Sequence, residues 1–596
     1  MLVEEVSSST PKEEEEGEET NGDETEELLT NVGLGRWQIP LLLSACFIQM
    51  GAALHKVGTP LYDAPLPFVC SSALDQDHYL RSNISHESEC LSEVEVPELY
   101  SGKGMGPPSC PVVHYETSVF DSTFTSQWNL VCEWEPYRPW FLASLSIGNL
   151  VGSIIGGHLS DSSGRRFSIR VGAALGLPAC LVMAAAPSFA IVIIARFTMG
   201  IVELLTLLPV YALVMESCPN KSRAVISNTT AVFFSLSIIA LGIVAHWVRD
   251  FRYLLYLISV PSAALMVFVI LMDESPRWLV QRGRGHQAAQ LLTKAATLNK
   301  TTIPPHLLNH LYKCNTKLGS AAGLKSESES ESGWWWRESW CSFKKEAREC
   351  AASTVLCRIL VAASALSFCN RLLFLGIPLN TNNVASTDPQ TYVLYVGISD
   401  FFSTLLAIFL SHSAPRRLCI GSFHMLASFF LMLDLLLPPE WRWLHWMLTL
   451  TSYCLMGCVF EITMVYYIEL MPTVVRSRGV TIIDFLGSLG ELCVPFITHL
   501  LAPRVSWSVD VIFMVMGVIG GLMILLLPET SSLPLTDTIA DVEERERRAN
   551  SDRGGGGGGA GGGGYWTRYG NYSYHSIQEE RANKIERTTI ILPTAE

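Results

Sequence analysis

Apolar segments of about 20 residues recur along this sequence, and each is long enough to cross a lipid bilayer as a helix. Only 16% of the 596 residues are charged and 49% are hydrophobic, whereas soluble proteins average about 25% charged residues. The sequence therefore predicts an all-α membrane protein with twelve transmembrane helices. They are expected at residues 37–58, 138–159, 169–187, 189–215, 225–247, 253–272, 353–376, 391–411, 418–437, 444–467, 480–501 and 508–527.

A short charged run between the second and third segments indicates their orientation. Asp161, Arg165 and Arg166 are strongly hydrated side chains, so this turn is expected to lie in water. Gly164 permits a tight turn. Together with Arg170, the two arginines place the turn on the cytoplasmic side, because cytoplasmic loops carry an excess of Lys and Arg. The alternative interpretation is a basic loop beside an ordinary membrane helix.

With twelve helices, this orientation places both termini in the cytoplasm. The inner segment after the sixth helix divides the chain into two halves of six helices. The first residues are polar and acidic and lack the apolar stretch of a signal peptide, so a disordered tail is expected. Glycine runs near the other terminus favour a flexible linker. The predicted organisation is an amino-terminal tail 1–36, a first half 37–272 with an outer loop 59–137, an inner segment 273–352, a second half 353–527 and a cytoplasmic tail 528–596.

The long outer loop carries the marks of an extracellular segment. It contains Cys70, Cys90, Cys110 and Cys132, and four cysteines in such a loop predict two disulfides with three possible connectivities. Asn83 begins a glycosylation sequon in the same loop. The remaining cysteines are scattered, and no Cys-x-x-Cys spacing occurs in the sequence. We therefore expect no metal site.

Several motifs resemble known membrane transporters. The run from Gly157 to Arg166 resembles the Gly-x-x-x-Asp-x-x-Gly-Arg-Arg signature of major facilitator transporters, with Ser162 where a basic residue is usual. In the corresponding place of the second half only Arg416 and Arg417 remain. Four further stretches resemble solute carrier family 22, the organic-ion transporters: residues 126–133, 274–279, 469–476 and 528–539. This resemblance implies a plasma-membrane protein that binds its solute near the midplane, between the two halves.

The resemblance also implies a set of gating residues. They would hold the cytoplasmic side closed through ion pairs that latch the two halves, with Arg196 in either a gating or a packing role. An ordinary interfacial charge is the alternative for each of them. The predicted gating residues are Asp161, Gly164, Arg165, Arg166, Arg196, Glu216, Glu274, Arg277, Glu469 and Arg476.

The eleventh apolar segment carries the most informative charges. The position that tends to be Asp in cation carriers of the family and Arg in its anion carriers corresponds to Ser488 here. Asp484 lies four residues before it and Glu491 three after, so the three side chains share one helix face. This face is predicted to line the solute cavity. The alternative is that Asp484 is simply hydrated near the cytoplasmic end.

The seventh and eighth segments add further cavity candidates. Asp400 follows the family's Gly-x-x-acid pattern, and Arg371 lies about one turn before Phe374. Ionisable groups within a membrane usually face a cavity or a partner. An ion pair between Arg371 and Asp400 is the alternative explanation for these two residues. Charged candidates of the same kind, without an assigned role, are Glu203, Asp434 and Glu461.

The resemblance implies a transporter of small organic ions that works by alternating access, and the acidic side chains favour cationic or zwitterionic solutes. The alternative is a non-transporting cell-surface receptor or partner-binding protein on the same scaffold. The net charge of −14 arises largely from the ends and outer loops, so no nucleic-acid partner is expected. Neither an enzyme nor a cofactor is indicated, the lipid bilayer is the expected environment, and the oligomeric state is left open.

Overall fold

The computed structural model describes residues 27–64, 66, 68–71, 112–305, 353–380, 388–438, 440–472, 476–501, 505, 507–531, 539, 542–545 and 547. Met1–Val542 form one compact unit, and Glu543–Glu596 form a second one. The helices and the site described below belong to the first unit. Asn83, Cys90, Cys110, residues 306–352 and the side chains of Cys70 and Cys132 lie outside the described part. The disulfides and the glycosylation site thus stay predictions.

Twelve helices, numbered α1 to α12, follow one another as the hydropathy pattern predicts. Eleven helices of the described residues are long and apolar enough to cross a membrane, and α5 completes the set with 26 residues. The helix α6 consists of two pieces, Phe251–Ile258 and Val260–Leu271. The others are α1 Ile39–Lys56, α2 Arg138–Ser163, α3 Arg165–Ala185, α4 Phe189–Ser217, α5 Asn220–Ala245, α7 Thr354–Leu379, α8 Pro389–Ser413, α9 Arg416–Leu436, α10 Arg442–Leu470, α11 Arg476–Phe496 and α12 Ser508–Met523.

Short elements connect these helices. A two-stranded antiparallel sheet lies in the loop after α1, with β1 Phe68–Ser71 paired to β2 Val112–Tyr115. A helix predicted from periodicity within the segment after α6 is confirmed as Gly285–Asn299. The other short helices are Thr59–Tyr62, Phe124–Gln127 and Pro276–Gln281, the 3₁₀ turns are Arg36–Gln38, Cys132–Tyr137 and Ile524–Leu526, and Ile497–Leu501 is a π turn.

Glycines bring α2 and α4 into close contact. Gly148, Gly152 and Gly156 recur every fourth residue along one face of α2. A Cβ atom at Gly148 would lie 2.9 Å from the Cα of Gly200, and one at Gly152 would lie 2.8 Å from the carbonyl oxygen of Ile201. In a membrane, small residues at such spacing let helix backbones approach and gain van der Waals contact.

The first six helices meet the last six along two seams. In one seam, α2 packs against α11, where the rings of Trp140 and Phe496 lie 5.5 Å apart. In the other seam, α5 packs against α8, and a Cβ atom at Gly242 would lie 2.8 Å from the Cα of Leu394. Charged side chains from the first six and the last six helices meet between these two seams.

The described part of the amino-terminal segment, residues 27–38, packs against the rest of the protein. Residues 27–32 are helical, and Leu28 and Leu29 are fully buried in a cluster with Leu292. The prediction of a disordered tail up to residue 36 is therefore wrong for residues 27–36. The physical reason is the apolar pair within the acidic stretch, which covers the apolar face of the helix Gly285–Asn299.

Candidate functional site

Five charged side chains from four helices form a buried group, which we call the central cluster: Lys56 of α1, Glu203 of α4, Arg371 of α7, and Asp484 and Glu491 of α11. Nζ of Lys56 lies 2.8 Å from Oε1 of Glu203 and 3.2 Å from Oε1 of Glu491. A guanidinium nitrogen of Arg371 bonds Asp484, and another lies 3.5 Å from Oε2 of Glu491. The cluster thus joins the first six helices to the last six.

The α11 face predicted from the sequence supplies two of the three acids of the cluster, Asp484 and Glu491. Asp484 is only 8% exposed and is paired with Arg371, so the interpretation of a merely hydrated Asp484 is wrong. Ser488 is buried and donates its hydroxyl to the carbonyl oxygen of Asp484 at 2.9 Å. Gly487 leaves room for the arginine, because a Cβ atom there would lie 2.9 Å from Cδ of Arg371.

Asp400 lies apart from this cluster, among polar side chains of α5 and α10. We call this group of Asp400, Ser235 and Tyr453 the Asp400 pocket. Its Oδ2 accepts a hydrogen bond of 2.7 Å from Ser235 of α5, and its Oδ1 accepts one of 3.3 Å from Tyr453 of α10. The alternative of an Arg371–Asp400 ion pair is therefore wrong. Asp400 points from α8 into the seam with α5, whereas Arg371 points from α7 toward α11.

An aromatic ladder connects the Asp400 pocket with the central cluster. The ring of Phe374 stacks on Tyr453 at 5.5 Å and on Phe460 at 4.6 Å between centroids. The guanidinium carbon of Arg371 lies 5.8 Å from the centroid of Phe460. Because Tyr453 also donates to Asp400, the ladder has an acidic group at one end and the charged cluster at the other.

Glu461 adds a further carboxyl group beside the pocket. It is half-buried on α10. A Cβ atom at Gly457 would lie 3.4 Å from Oδ1 of Asp400, and Glu461 follows Gly457 by four residues on the same helix. Side chains four residues apart occupy one helix face, so Glu461 lies on the face of α10 that meets Asp400.

A separate polar network lies at the end of the bundle where α2 meets α3. Arg165 contacts Glu216 at 3.1 Å and Asp161 at 3.4 Å. The carboxylate of Glu274 accepts hydrogen bonds of 3.1 and 3.2 Å from the backbone N–H groups of Arg165 and Arg166. Burial raises the pKa of Glu274 above its ordinary value, while the backbone N–H donors act in the opposite direction.

The backbone conformation of the charged turn explains why residue 164 is a glycine. Gly164 adopts φ = +107°, a backbone conformation that residues with a Cβ atom rarely adopt. A Cβ atom there would also lie 3.3 Å from the ring of Trp278. Nε1 of Trp278 donates to the carbonyl oxygen of Asp161 at 3.1 Å, so the turn is tied to the helix Pro276–Gln281.

The last six helices repeat this network with different residues. The carboxylate of Glu529 accepts hydrogen bonds of 3.0 Å from both backbone N–H groups of Arg416 and Arg417. The side chain of Arg416 contacts Glu469 at 3.0 Å. The sequence suggested that only basic charge survives in this second copy. That interpretation is wrong. The second copy also has two arginines at a helix start, and it has two acidic side chains that make the same kinds of contact to them.

The remaining predicted gating residues occupy different places. Arg196 is buried near the opposite end of α4, where it donates to Oγ1 of Thr59 at 2.8 Å and lies 4.1 Å from the ring centroid of Phe141. Nε of Arg476 donates to the carbonyl oxygen of Met471 at 3.2 Å. Arg277 is half-buried on the helix Pro276–Gln281. The Arg165–Glu216 and Arg416–Glu469 pairs each lie within one group of six helices, so these two do not latch the halves as expected.

Sequence reasoning missed several members of these sites, among them one lysine, one asparagine and one glutamate. Lys56 ends α1, where a lysine normally extends to water. Asn149 lies in the glycine-rich face of α2 and donates to Glu491 at 3.4 Å. Glu529 stands in a recognised motif, without an assigned role. The available signal was charge within or beside apolar segments, but the pairing depends on which helices are neighbours.

Comparisons with known proteins agree with this architecture. The profile of the family named sugar (and other) transporter matches residues 115–540. Solute carrier family 22 member 12 of Rattus norvegicus is 27% identical over 437 residues, which cover 72% of this chain and 74% of that protein. The organic cation transporter protein of Drosophila melanogaster is 24% identical over 540 residues, 87% of this chain and 94% of the relative.

Two further similarities extend this result. Organic cation/carnitine transporter 4 of Arabidopsis thaliana is 26% identical over 438 residues, 73% of this chain and 79% of the relative. The inward open structure of the xylose transporter XylE from E. coli superimposes with a TM-score of 0.54 at 16% identity, covering 85% of this chain and 98% of XylE. The predicted resemblance to solute carrier family 22 and the twelve-helix major facilitator fold are confirmed.

Proposed function

Because this chain belongs to the sugar (and other) transporter family and crosses the membrane many times, we propose that it transports small organic ions and prefers cations and zwitterions to anions. The observation that carries this preference is the excess of acidic over basic side chains in the central cluster and the Asp400 pocket with the adjacent Glu461, which together we call the central site. The names of two relatives, the organic cation transporter protein and organic cation/carnitine transporter 4, refer to solutes of this class.

The formal charge of the central site is negative. Carboxyl groups come from Glu203, Asp400, Glu461, Asp484 and Glu491, and basic groups come from Lys56 and Arg371. Charges inside a membrane are costly and are retained where they serve a solute or ion. An organic anion entering this site would meet more negative than positive charge, whereas a cation would relieve the imbalance. This supports a cationic group on the solute.

The aromatic ladder suits the same class of solute. The faces of Phe374, Tyr453 and Phe460 lie between the Asp400 pocket and the central cluster. Aromatic faces attract organic cations through their quadrupole, and more strongly when water is excluded. A solute with an apolar body and one charged group would therefore find both a carboxylate and an aromatic surface.

The positions of these contacts support alternating access. Lys56 and Asn149 belong to the first six helices and reach Glu491 of the last six. Ser235 likewise reaches Asp400 across the other seam. A solute bound among these groups would touch both halves, which would rock against each other about the site. We place the charged turn and both termini in the cytoplasm of a plasma-membrane protein, because arginines concentrate at that end.

Uptake into proteoliposomes tests the proposal. The probes are tetraethylammonium as a cation, carnitine as a zwitterion and p-aminohippurate as an anion. Saturable uptake of the first two is expected, and Asp400→Asn should lower kcat/KM for tetraethylammonium about tenfold, or about 1.4 kcal/mol. Asp434→Asn is the matched control, since Asp434 is a half-buried carboxyl paired with His445 outside the site.

Two outcomes would contradict the proposal. Faster uptake of p-aminohippurate than of either other probe would overturn the cation preference. Absence of saturable uptake of all three probes, together with tight binding of an extracellular protein to the loop 59–137, would favour the receptor alternative. Uptake of cations that is equal in wild type and Asp400→Asn would remove Asp400 from the site.

A further inference from the structure

The ammonium group of Lys56 occupies a position between two carboxylates from different halves of the protein. Its side chain is 14% exposed, while those of Glu203 and Glu491 are 7% and 4% exposed. The Nζ to Oε1 distance of 2.8 Å to Glu203 is that of a charge-assisted hydrogen bond, and the distance of 3.2 Å to Glu491 is at the upper end of the hydrogen-bond range. The pair of carboxylates thus already forms a binding site for an ammonium group, and the protein fills it with its own side chain.

The other partners of this carboxylate pair are more distant. Asn149 and Arg371 approach Glu491 at 3.4 and 3.5 Å, near the limit for a hydrogen bond. Arg371 is also engaged by Asp484. Within the described residues, Lys56 makes the shortest contact to Glu203 and to Glu491. If Lys56 left, both carboxylates would need another cation, because an unpaired buried charge is strongly unfavourable.

Lys56 is placed so that it can leave. It is the last residue of α1, and its charge is carried on a flexible four-carbon chain. An ammonium is a compact charge with three N–H donors, whereas Arg371 presents a planar guanidinium already paired with Asp484. Of the two bases in the central cluster, Lys56 is therefore the one that a solute would displace.

We infer that Lys56 is a tethered competitor of the solute: in the empty protein its ammonium group occupies the Glu203–Glu491 pair that binds the protonated amine of the transported solute. This inference rests on the proposed function and adds that the Glu203–Glu491 pair binds protonated primary or secondary amines more tightly than quaternary ammonium groups. A quaternary ammonium lacks the N–H groups that two facing carboxylates accept. Because Lys56 occupies the site, the apparent affinity for the amine is the intrinsic affinity multiplied by the fraction of time that the site is empty.

The test measures binding to the purified full-length protein by thermal shift, with n-butylammonium and tetraethylammonium as probes. Lys56→Met keeps the length of the side chain and removes its charge. We expect Lys56→Met to bind n-butylammonium about tenfold more tightly than wild type, as for a site that Lys56 fills about 90% of the time. Its affinity for tetraethylammonium should rise less. Lys294→Met is the matched control, since Lys294 is a 54% exposed lysine that pairs with Asp273.

Two further variants test whether the gain depends on charge at this site. Lys56→Arg retains the charge and should show no gain over wild type. Lys56→Met combined with Glu203→Gln removes one charge of each sign and should lose the gain in n-butylammonium affinity. An Lys56→Arg protein that gained as much affinity as Lys56→Met, or a double variant that kept the gain, would overturn the inference.

The remaining outcomes separate this inference from the proposed function. Unchanged or weaker n-butylammonium binding in Lys56→Met, with wild-type tetraethylammonium uptake intact in proteoliposomes, would overturn only the role of Lys56. Failure of wild type and Lys56→Met alike to bind or transport any of the cations would overturn both. Binding of n-butylammonium by Lys56→Met alone would support the inference strongly.

Discussion

Glu274 and Glu529 occupy equivalent positions in the two halves of the protein. Each follows a sixth helix, and each accepts hydrogen bonds from the two backbone N–H groups at the start of another helix, α3 for Glu274 and α9 for Glu529. A helix start carries unpaired N–H groups and a partial positive charge, which a carboxylate stabilises. The two halves therefore share a structural device that their sequences express with different motifs.

Neutralising either acid should weaken the helix start that it caps. We expect Glu274→Gln and Glu529→Gln each to lower the free energy of unfolding by about 1 kcal/mol, the usual worth of a side chain that caps a helix. Thermal unfolding of the purified protein measures this. Glu440→Gln, at an exposed position, serves as control. A loss confined to Glu274→Gln would show that the second network is only a geometric remnant.

The α2–α4 contact depends on the absence of side chains at two facing glycines. A Cβ atom at Gly200 would lie 2.8 Å from the Cα of Gly148, closer than real Cβ contacts. We expect Gly200→Ala to cost about 1–3 kcal/mol of stability through overpacking, seen as a lower melting temperature. Gly51→Ala is the matched control, because a Cβ atom at Gly51 would have no neighbour within 4 Å. Equal melting temperatures for the two variants would show that α2 and α4 separate easily.

The helices were predictable because the bilayer allows few alternatives. A segment that lies in lipid, without water, must form its backbone hydrogen bonds internally. An apolar stretch of sufficient length therefore predicts a helix. This holds for α4, expected at 189–215 and found at Phe189–Ser217, and for α11, whose acidic face was read from its periodicity. The error at residues 27–36 has the opposite origin, since composition alone did not show that Leu28 and Leu29 had a surface to cover.

The partners within the site were less predictable than its members. Asp484, Glu491, Arg371 and Asp400 were recognised as charges within apolar segments. The ion pair considered as an alternative, Arg371 with Asp400, does not form, because Arg371 pairs with Asp484. Residues on different helices pair according to the orientation and neighbours of those helices, which no local pattern encodes. Lys56 was missed for the same reason: at a helix end, a lysine in water and a lysine between two carboxylates look alike in sequence.

The Arg371–Asp484 pair should behave as a buried ion pair. Removing one partner by Asp484→Asn leaves the other charge poorly compensated, and a loss of about 3–5 kcal/mol is typical of such sites. The double variant Arg371→Met/Asp484→Leu should recover most of that stability, since replacing both charges with apolar groups is often nearly neutral. Thermal unfolding of Arg371→Met, Asp484→Leu and the double variant gives the coupling energy. Additive losses would show that the two side chains do not interact.

Asn299 ties the amino-terminal segment to the helix Gly285–Asn299. Its Oδ1 accepts a hydrogen bond of 2.9 Å from the backbone N–H of Trp37. Its Nδ2 lies 3.2–3.3 Å from the carbonyl oxygens of Val32 and Gly33 and from Oε1 of Gln38. The amide thus serves as acceptor and donor at once, and no other side chain of its size can do both in this orientation.

Replacing this amide tests whether its acceptor and its donor both hold the amino-terminal segment against the helix Gly285–Asn299. Asn299→Asp keeps the acceptor for Trp37 but turns a donor into a carboxylate oxygen facing carbonyl oxygens, so it should release the segment more than Asn299→Ala does. Limited proteolysis within residues 33–36 measures the release, and cleavage should be fastest in Asn299→Asp, intermediate in Asn299→Ala and slowest in wild type. If Asn299→Asp were cleaved no faster than wild type, the apolar contacts of Leu28 and Leu29 alone would hold the segment in place.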